Sequence, residues 1–113
     1  MIDDHHTHEV LVTEVIDGDT IVGTLHTHLL DIQLHLMDIH FRLLDINAPE
    51  KRGATKEDGE RSRDYLKSII EGQVVLVSCE KKDKYGRQLA TVYYNGVNMN
   101  QHMIEKGYAV PYE

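Results

Sequence analysis

Residues 60–79 read ERSRDYLKSIIEGQVVLVSC, and the hydrophobic period changes in the middle of them. Leu66, Ile69 and Ile70 recur at helical spacing, so a helix is expected over roughly residues 60–71. Gly72 provides the stop, since glycine accepts the left-handed conformation that ends many helices. QVVLVSC beyond it is a short apolar run rich in β-branched residues and reads as a strand. A helix is therefore set into a chain whose other segments lean towards strand.

Working outward, EVLVTEVI (residues 9–16) alternates as a strand does, and Asp17-Gly18 then signals a tight turn. Residues 19–46 form a long strand-like region. Leu30, Ile32, Leu34 and Leu36 repeat at period two with Asp31, Gln33 and His35 between them, as in a half-buried antiparallel strand. Met37-Asp38 marks a turn or bulge, and Phe41 and Leu43 continue one face of a further strand. NAPEKRGATKEDG (47–59) reads as a loop. Downstream, KKDKYGR is a hairpin turn and QLATVYY the strand leaving it. Asn98 or Asn100 is placed to cap a second short helix with Met99, Met103 and Ile104 as its buried stripe, ended by Gly107. Four or five strands, with a helix between the third and fourth, predict a mainly β fold with helices (α+β). The expected architecture is a five-stranded Greek-key barrel of the OB type with two short helices. Residues 1–8 read as a disordered leader and residues 9–113 as a single domain.

The chain's 113 residues suit one core. A lone cysteine, Cys79, forms no internal disulfide; within VVLVSC it reads as a buried, inert thiol. No stretch approaches the roughly 20 apolar residues of a membrane span. MIDDHHTHEV lacks the apolar core of a signal peptide, which fits a cytoplasmic protein or a secreted one already processed. The net charge of −7, from 19 acidic and 12 basic residues, argues against a general polyanion binder. The basic residues are clustered, however, at Lys51 and Arg52 and at Lys81, Lys82, Lys84 and Arg87, and local charge governs the grip on a phosphate.

Chemistry concentrates in three short motifs. In Ile16-Asp17-Gly18-Asp19-Thr20, a carboxylate beside a tight turn is held rigidly and offers the oxygen that hard cations take. In Arg42-Leu43-Leu44-Asp45-Ile46-Asn47-Ala48-Pro49-Glu50, an arginine fork that matches phosphate oxygens is followed by an oxygen ligand and a glutamate able to orient water. In Asp83-Lys84-Tyr85-Gly86-Arg87, Gly86 permits a positive φ, and Lys84 and Tyr85 suit a phosphate and a base ring. Each alone is equally a polar hairpin or a surface ion pair, such as Arg42 with Glu50.

Together and in this order, the motifs resemble those of the staphylococcal nuclease-like (thermonuclease) family, over roughly residues 9–112. The resemblance implies a metal-dependent nuclease that hydrolyses phosphodiester bonds of DNA or RNA to 5′-hydroxyl and 3′-phosphate products. It implies Ca2+ as cofactor, held by Asp19, Asn47 and a backbone carbonyl near Ala48. It further implies that Arg42 and Arg87 hold the scissile phosphate, Glu50 acts as general base, and Lys84 and Tyr85 contact the nucleotide. A monomer without membrane association is expected.

The sequence departs from the family pattern. Asn47 stands where the best-known members carry a second calcium-binding aspartate, which removes one negative charge. Asp45 replaces a common glycine and, by strand alternation, points away from the face of Arg42. The segment between Asp19 and Arg42 is longer, and the sequence ends before the last helix of the best-known member. Asn47 leaves a second possibility open, a catalytically inactive OB-fold module that binds nucleic acid. His26 and His28 share a strand face at a spacing that can chelate zinc or copper, with His35 and His40 nearby; equally, they are the outward residues of a polar face. The leader histidines His5, His6 and His8 pose the same choice.

Overall fold

The computed structural model describes residues 7–49 and 56–112. Its elements are β1 (Thr7–Asp17), β2 (Thr20–Leu29), β3 (Ile32–Leu43), β4 (Ile46–Asn47), α1 (Lys56–Ile70), β5 (Val74–Lys82), β6 (Gln88–Tyr94), β7 (Val97–Asn98), α2 (Met99–Glu105) and β8 (Val110–Pro111). β1, β2 and β3 form an antiparallel meander, and β5 and β6 continue the sheet from the other side of β1. A parallel pairing of β3 with β6 closes it into a five-stranded barrel, the OB-type α+β architecture expected from the sequence.

Alternation explains the core. Val10, Val12, Ile21, Phe41, Leu43, Val75, Val77, Ala90 and Val92 point inward and are buried. Leu66 and Ile70 of α1 and Met99 and Met103 of α2 join the same cluster, so the methionines are core residues. Among the described residues no helix is long and apolar enough to cross a membrane.

Several local expectations change. β1 begins at Thr7, inside the segment read as leader, because Thr7 and His8 pair with Ser78 and Val77 of β5. α1 begins at Lys56, earlier than expected: Glu57 and Asp58 in its first turn favour the positive end of the helix dipole, and Gly59 is tolerated where it is buried. Leu30 does not belong to the alternating strand. It sits in the turn between β2 and β3 with φ +58, so β3 starts at Ile32. Met37-Asp38 is a bulge within one continuous β3: the register jumps from Gly23↔Ile39 to Leu25↔Leu36, with Asp38 at φ +58. Asn98 is the α2 cap, accepting the Gln101 N–H at 3.0 Å. Asn100 is instead buried. It accepts the Val92 N–H and donates to the carbonyls of Leu44 and Ala90, fastening β6 to the loop after β3. Cys79 is half-buried, and burial pushes its thiol up, which keeps it inert at neutral pH.

Candidate active site

Two features of the barrel build the site. The first is the Asp17–Thr20 turn, where Gly18 is needed for closeness and not for a left-handed φ. A Cβ on Gly18 would lie 1.8 Å from Ser62 Oγ of α1 and 3.1 Å from Ala48 Cβ. The glycine therefore lets the turn lie against the helix and against the segment that follows Asn47. The second is the closure seam. Arg42 pairs with Leu89 in the parallel β3–β6 ladder, and Arg87 lies two residues before Leu89. Period two puts Arg87 on the same outward side as Leu89 and Arg42, so the seam brings together arginines far apart in sequence.

Asp19 is the hub. Its Oδ1 accepts the Thr20 hydroxyl at 2.9 Å, and its Oδ2 accepts the Ala48 N–H at 2.7 Å and lies 3.4 Å from Arg42 Nη2. Arg42 donates through Nη1 to the carbonyls of Leu43 and Ile46, each at 2.9 Å, and through Nη2 to Asn47 Oδ1 at 3.2 Å. Asp19 Oδ2 and Asn47 Oδ1 thus both face Arg42 Nη2. Three of the Arg42 N–H donors are committed to these bonds, out of about five on a guanidinium. A cavity of about 190 Å³ opens here, lined by Asp17, Asp19, Thr20, Arg42, Asn47, Ala48, Pro49 and Arg87.

Arg87 is held differently. Asp83 Oδ2 accepts Arg87 Nε at 2.8 Å and lies 2.7 Å from its Nη2, while Oδ1 accepts the backbone N–H groups of Tyr85 and Arg87. Burial alone would push the Asp83 carboxyl up, but these N–H bonds and the guanidinium hold it below the ordinary carboxylate range. Gly86 takes φ +82 in this turn, as the motif required.

A family model described as staphylococcal nuclease homologue matches residues 40–113. A protein named Uncharacterized endonuclease, from Escherichia coli O157:H7, is 37% identical over 103 residues, covering 90% of this chain and 60% of that one. Protein ParB of Escherichia coli is 36% identical over 110 residues, with 89% and 55% covered. A Micrococcal nuclease from Shigella flexneri is 34% identical over 110 residues, with 89% and 56% covered. The chain belongs to the staphylococcal nuclease family. It spans about 60% or less of the length of these relatives.

Within this staphylococcal nuclease-family barrel, the cavity gathers Asp19, Asn47, Ala48, Arg42 and Arg87, all singled out from the sequence. Glu50 lies outside the described residues. Lys84 and Tyr85 sit apart from the cavity and line an adjoining groove of about 470 Å³ that shares Arg42 and Arg87 with it. Lys84 Nζ stands 5.2 Å and the Arg87 guanidinium 5.3 Å from the Tyr85 ring centre. Asp45 lines that groove rather than the cavity and does not stand in for Asn47. Its φ of +65 explains why glycine suits the position and why aspartate is tolerated there.

Two residues escaped the sequence reading. Asp17 lines the cavity beside Asp19; its place in the turn motif was the available signal. Tyr112 lines the groove, brought there by the bond from its N–H to the Asp45 carbonyl at 2.9 Å. No local signal marked it, because a tertiary contact sets its position.

The cavity's donors suit a hard cation. They are carboxylate and amide oxygens, with no sulfur and no imidazole. Among the described residues, no group of three or more His, Cys, Asp or Glu side chains is arranged to hold a metal ion.

Proposed function

We propose that this protein is a Ca2+-dependent nuclease that hydrolyses phosphodiester bonds of DNA or RNA, giving 5′-hydroxyl and 3′-phosphate products. The observation that carries the proposal is the meeting, in one small cavity, of two arginines and two oxygen donors, Asp19 from the β1–β2 turn and Asn47 from β4. A monoanionic phosphodiester that becomes dianionic on attack calls for this pairing of preorganised positive donors with a cation site.

Asp19 and Asn47 would hold the ion, with Asp17 adding negative charge from the same cavity. When bound, the ion supplies positive charge that polarises the phosphate and eases ionisation of water. Arg87, held by Asp83, presents a guanidinium to the non-bridging oxygens. Arg42 adds a second charge, stiffened by its bonds to the Leu43 and Ile46 carbonyls. Glu50, assigned by family resemblance, orients or deprotonates the attacking water. Tyr85 and Tyr112 offer ring faces to bases along the groove, which suits single-stranded substrate without base selection.

Asn47 favours a second reading, in which the barrel binds nucleic acid without cutting it. Cleavage of a single-stranded DNA oligonucleotide, with Ca2+ and with chelator, separates the two. In the nuclease, Glu50→Gln cuts turnover by orders of magnitude and leaves binding equal or slightly tighter, since a repulsive charge is gone. Both quantities are measured at one salt concentration. A wild-type protein that binds the strand but never cuts it at millimolar Ca2+ or Mn2+ refutes the nuclease.

A further inference from the structure

Beyond the bulge at Asp38, β2 and β3 stay paired to the end of their hairpin, and β1 accompanies β2 as far as Glu9↔His26, where the hairpin arm begins. His26 of β2 and His35 of β3 are direct register partners there, with ring centroids 4.6 Å apart and ring planes inclined by 33°. Partners in an antiparallel ladder project from the same face. That face is the outer one, because neighbouring Leu25 is the residue buried in the barrel. Neither imidazole has a hydrogen-bond or ion-pair partner among the described residues. Glu9 of β1 is the register partner of His26 on its other side, so a carboxylate flanks the pair.

We infer that His26 and His35 form a bis-imidazole chelate for a borderline divalent transition-metal ion. Metal–nitrogen bonds of about 2.0–2.1 Å, plus roughly 1.1 Å from nitrogen to ring centre, place two cis imidazoles with centroids about 4.5 Å apart at a right angle and about 5.2 Å apart at the tetrahedral angle. The observed 4.6 Å falls within the reach of two imidazoles sharing one borderline divalent ion, and Ni2+ serves as the probe. No third His, Cys, Asp or Glu joins them among the described residues, so water completes the coordination. The site is distinct from the oxygen-lined cavity, which contains neither histidine. Its consequence is mechanical: an ion held there staples β2 to β3 at the root of their hairpin.

The probe is Ni2+ alone, titrated calorimetrically into the full chain at pH 7.5 with millimolar Ca2+ present to fill oxygen sites. His26→Asn and His35→Asn should each weaken the arm's Ni2+ affinity about tenfold or more, because a chelate's second contact is intramolecular. The combined His5→Asn and His6→Asn variant should retain that binding. Ni2+ should also raise the Tm of the wild type and of this leader variant, but not that of His26→Asn. Both arm histidines lie on the outer face, so these substitutions leave the core untouched. Isotherms unchanged in both arm variants, or binding that disappears with His5 and His6, overturn the inference.

Discussion

Replacing Arg42 and Arg87 by alanine should impair catalysis alike but lower stability very unequally. Arg42 is a nearly buried side chain, 12% exposed, paired with an Asp19 carboxylate that is 9% exposed. Its loss strips donors from two carbonyls and leaves Asp19, among the described residues, with the Ala48 N–H and the Thr20 hydroxyl. Removing one partner of a buried pair costs about 3–5 kcal/mol; the two bonds that Asp19 keeps put the expected loss near the low end, about 3 kcal/mol. At roughly 4 °C per kcal/mol for a domain of this size, the Tm should fall by about 12 °C. Arg87 is 30% exposed and pairs with Asp83 on a hairpin, so its removal should cost under about 1 kcal/mol. Both variants should lose on the order of a hundredfold or more in cleavage rate. Arg42→Lys should not restore activity, since an ammonium cannot reproduce the fork. Urea unfolding in chelator measures stability without any contribution from the ion. Adding Asp19→Asn to Arg42→Ala should recover part of the loss, because no buried charge is then left unpaired. Equal stability losses for the two arginines, or strict additivity in the double variant, would refute the view of Arg42 as both scaffold and phosphate ligand.

Asn47→Asp should lower the Ca2+ concentration needed for half-maximal cleavage, because it adds a charge at the cavity where Asn47 Oδ1 now accepts from Arg42; an unchanged titration would show that Asn47 is not a ligand. Gly18→Ala should cost about 2 kcal/mol in urea unfolding, since the new methyl collides with Ser62 and Ala48. Because the folded-state pKa of Asp83 is lowered, its contribution is complete above the ordinary carboxylate value of 3.8 and is lost as pH falls through the lower folded value. Amide exchange at Tyr85 and Arg87 should thus stay protected down to that acid range, and loss of protection already near pH 5 would contradict the sign.

The five-stranded barrel was legible because its signals are local. The period change across residues 60–79 located α1 and β5, and alternation located β1 and β3. What local pattern could not supply was the effect of partners. Thr7 and His8 look like a polar tail but find a ladder on β5. Leu30 continues an alternating run in sequence, yet the hairpin needs a turn there and imposes a left-handed φ on a leucine. Asn100 resembles a helix cap, while its amide is drawn inward by three backbone groups left by the closing sheet.

The site shows the same division with a sharper consequence. Asp19, Arg42, Asn47 and Arg87 were marked by motif; the β2–β3 pairing sets Asp19 beside Arg42, but the arrival of Arg87 depends on the parallel β3–β6 seam, which no motif encodes. The seam also gives the arginines different duties. Arg42 lies within a strand, where its head reaches back to the carbonyls of its own chain and to Asp19. Arg87 lies one residue before β6, where among the described residues Asp83 and the Tyr85 ring restrain it. A phosphate entering the cavity would therefore meet one arginine whose position is fixed by folding and another held on a hairpin by Asp83. Fixed donors lower the reorganisation cost of catalysis, whereas a hairpin-borne donor can follow the substrate. On this basis Asp83→Asn should impair cleavage while sparing the core, and the loss should appear in turnover more than in binding. The arginine's charge remains near the strand, but its guanidinium loses its orienting partner.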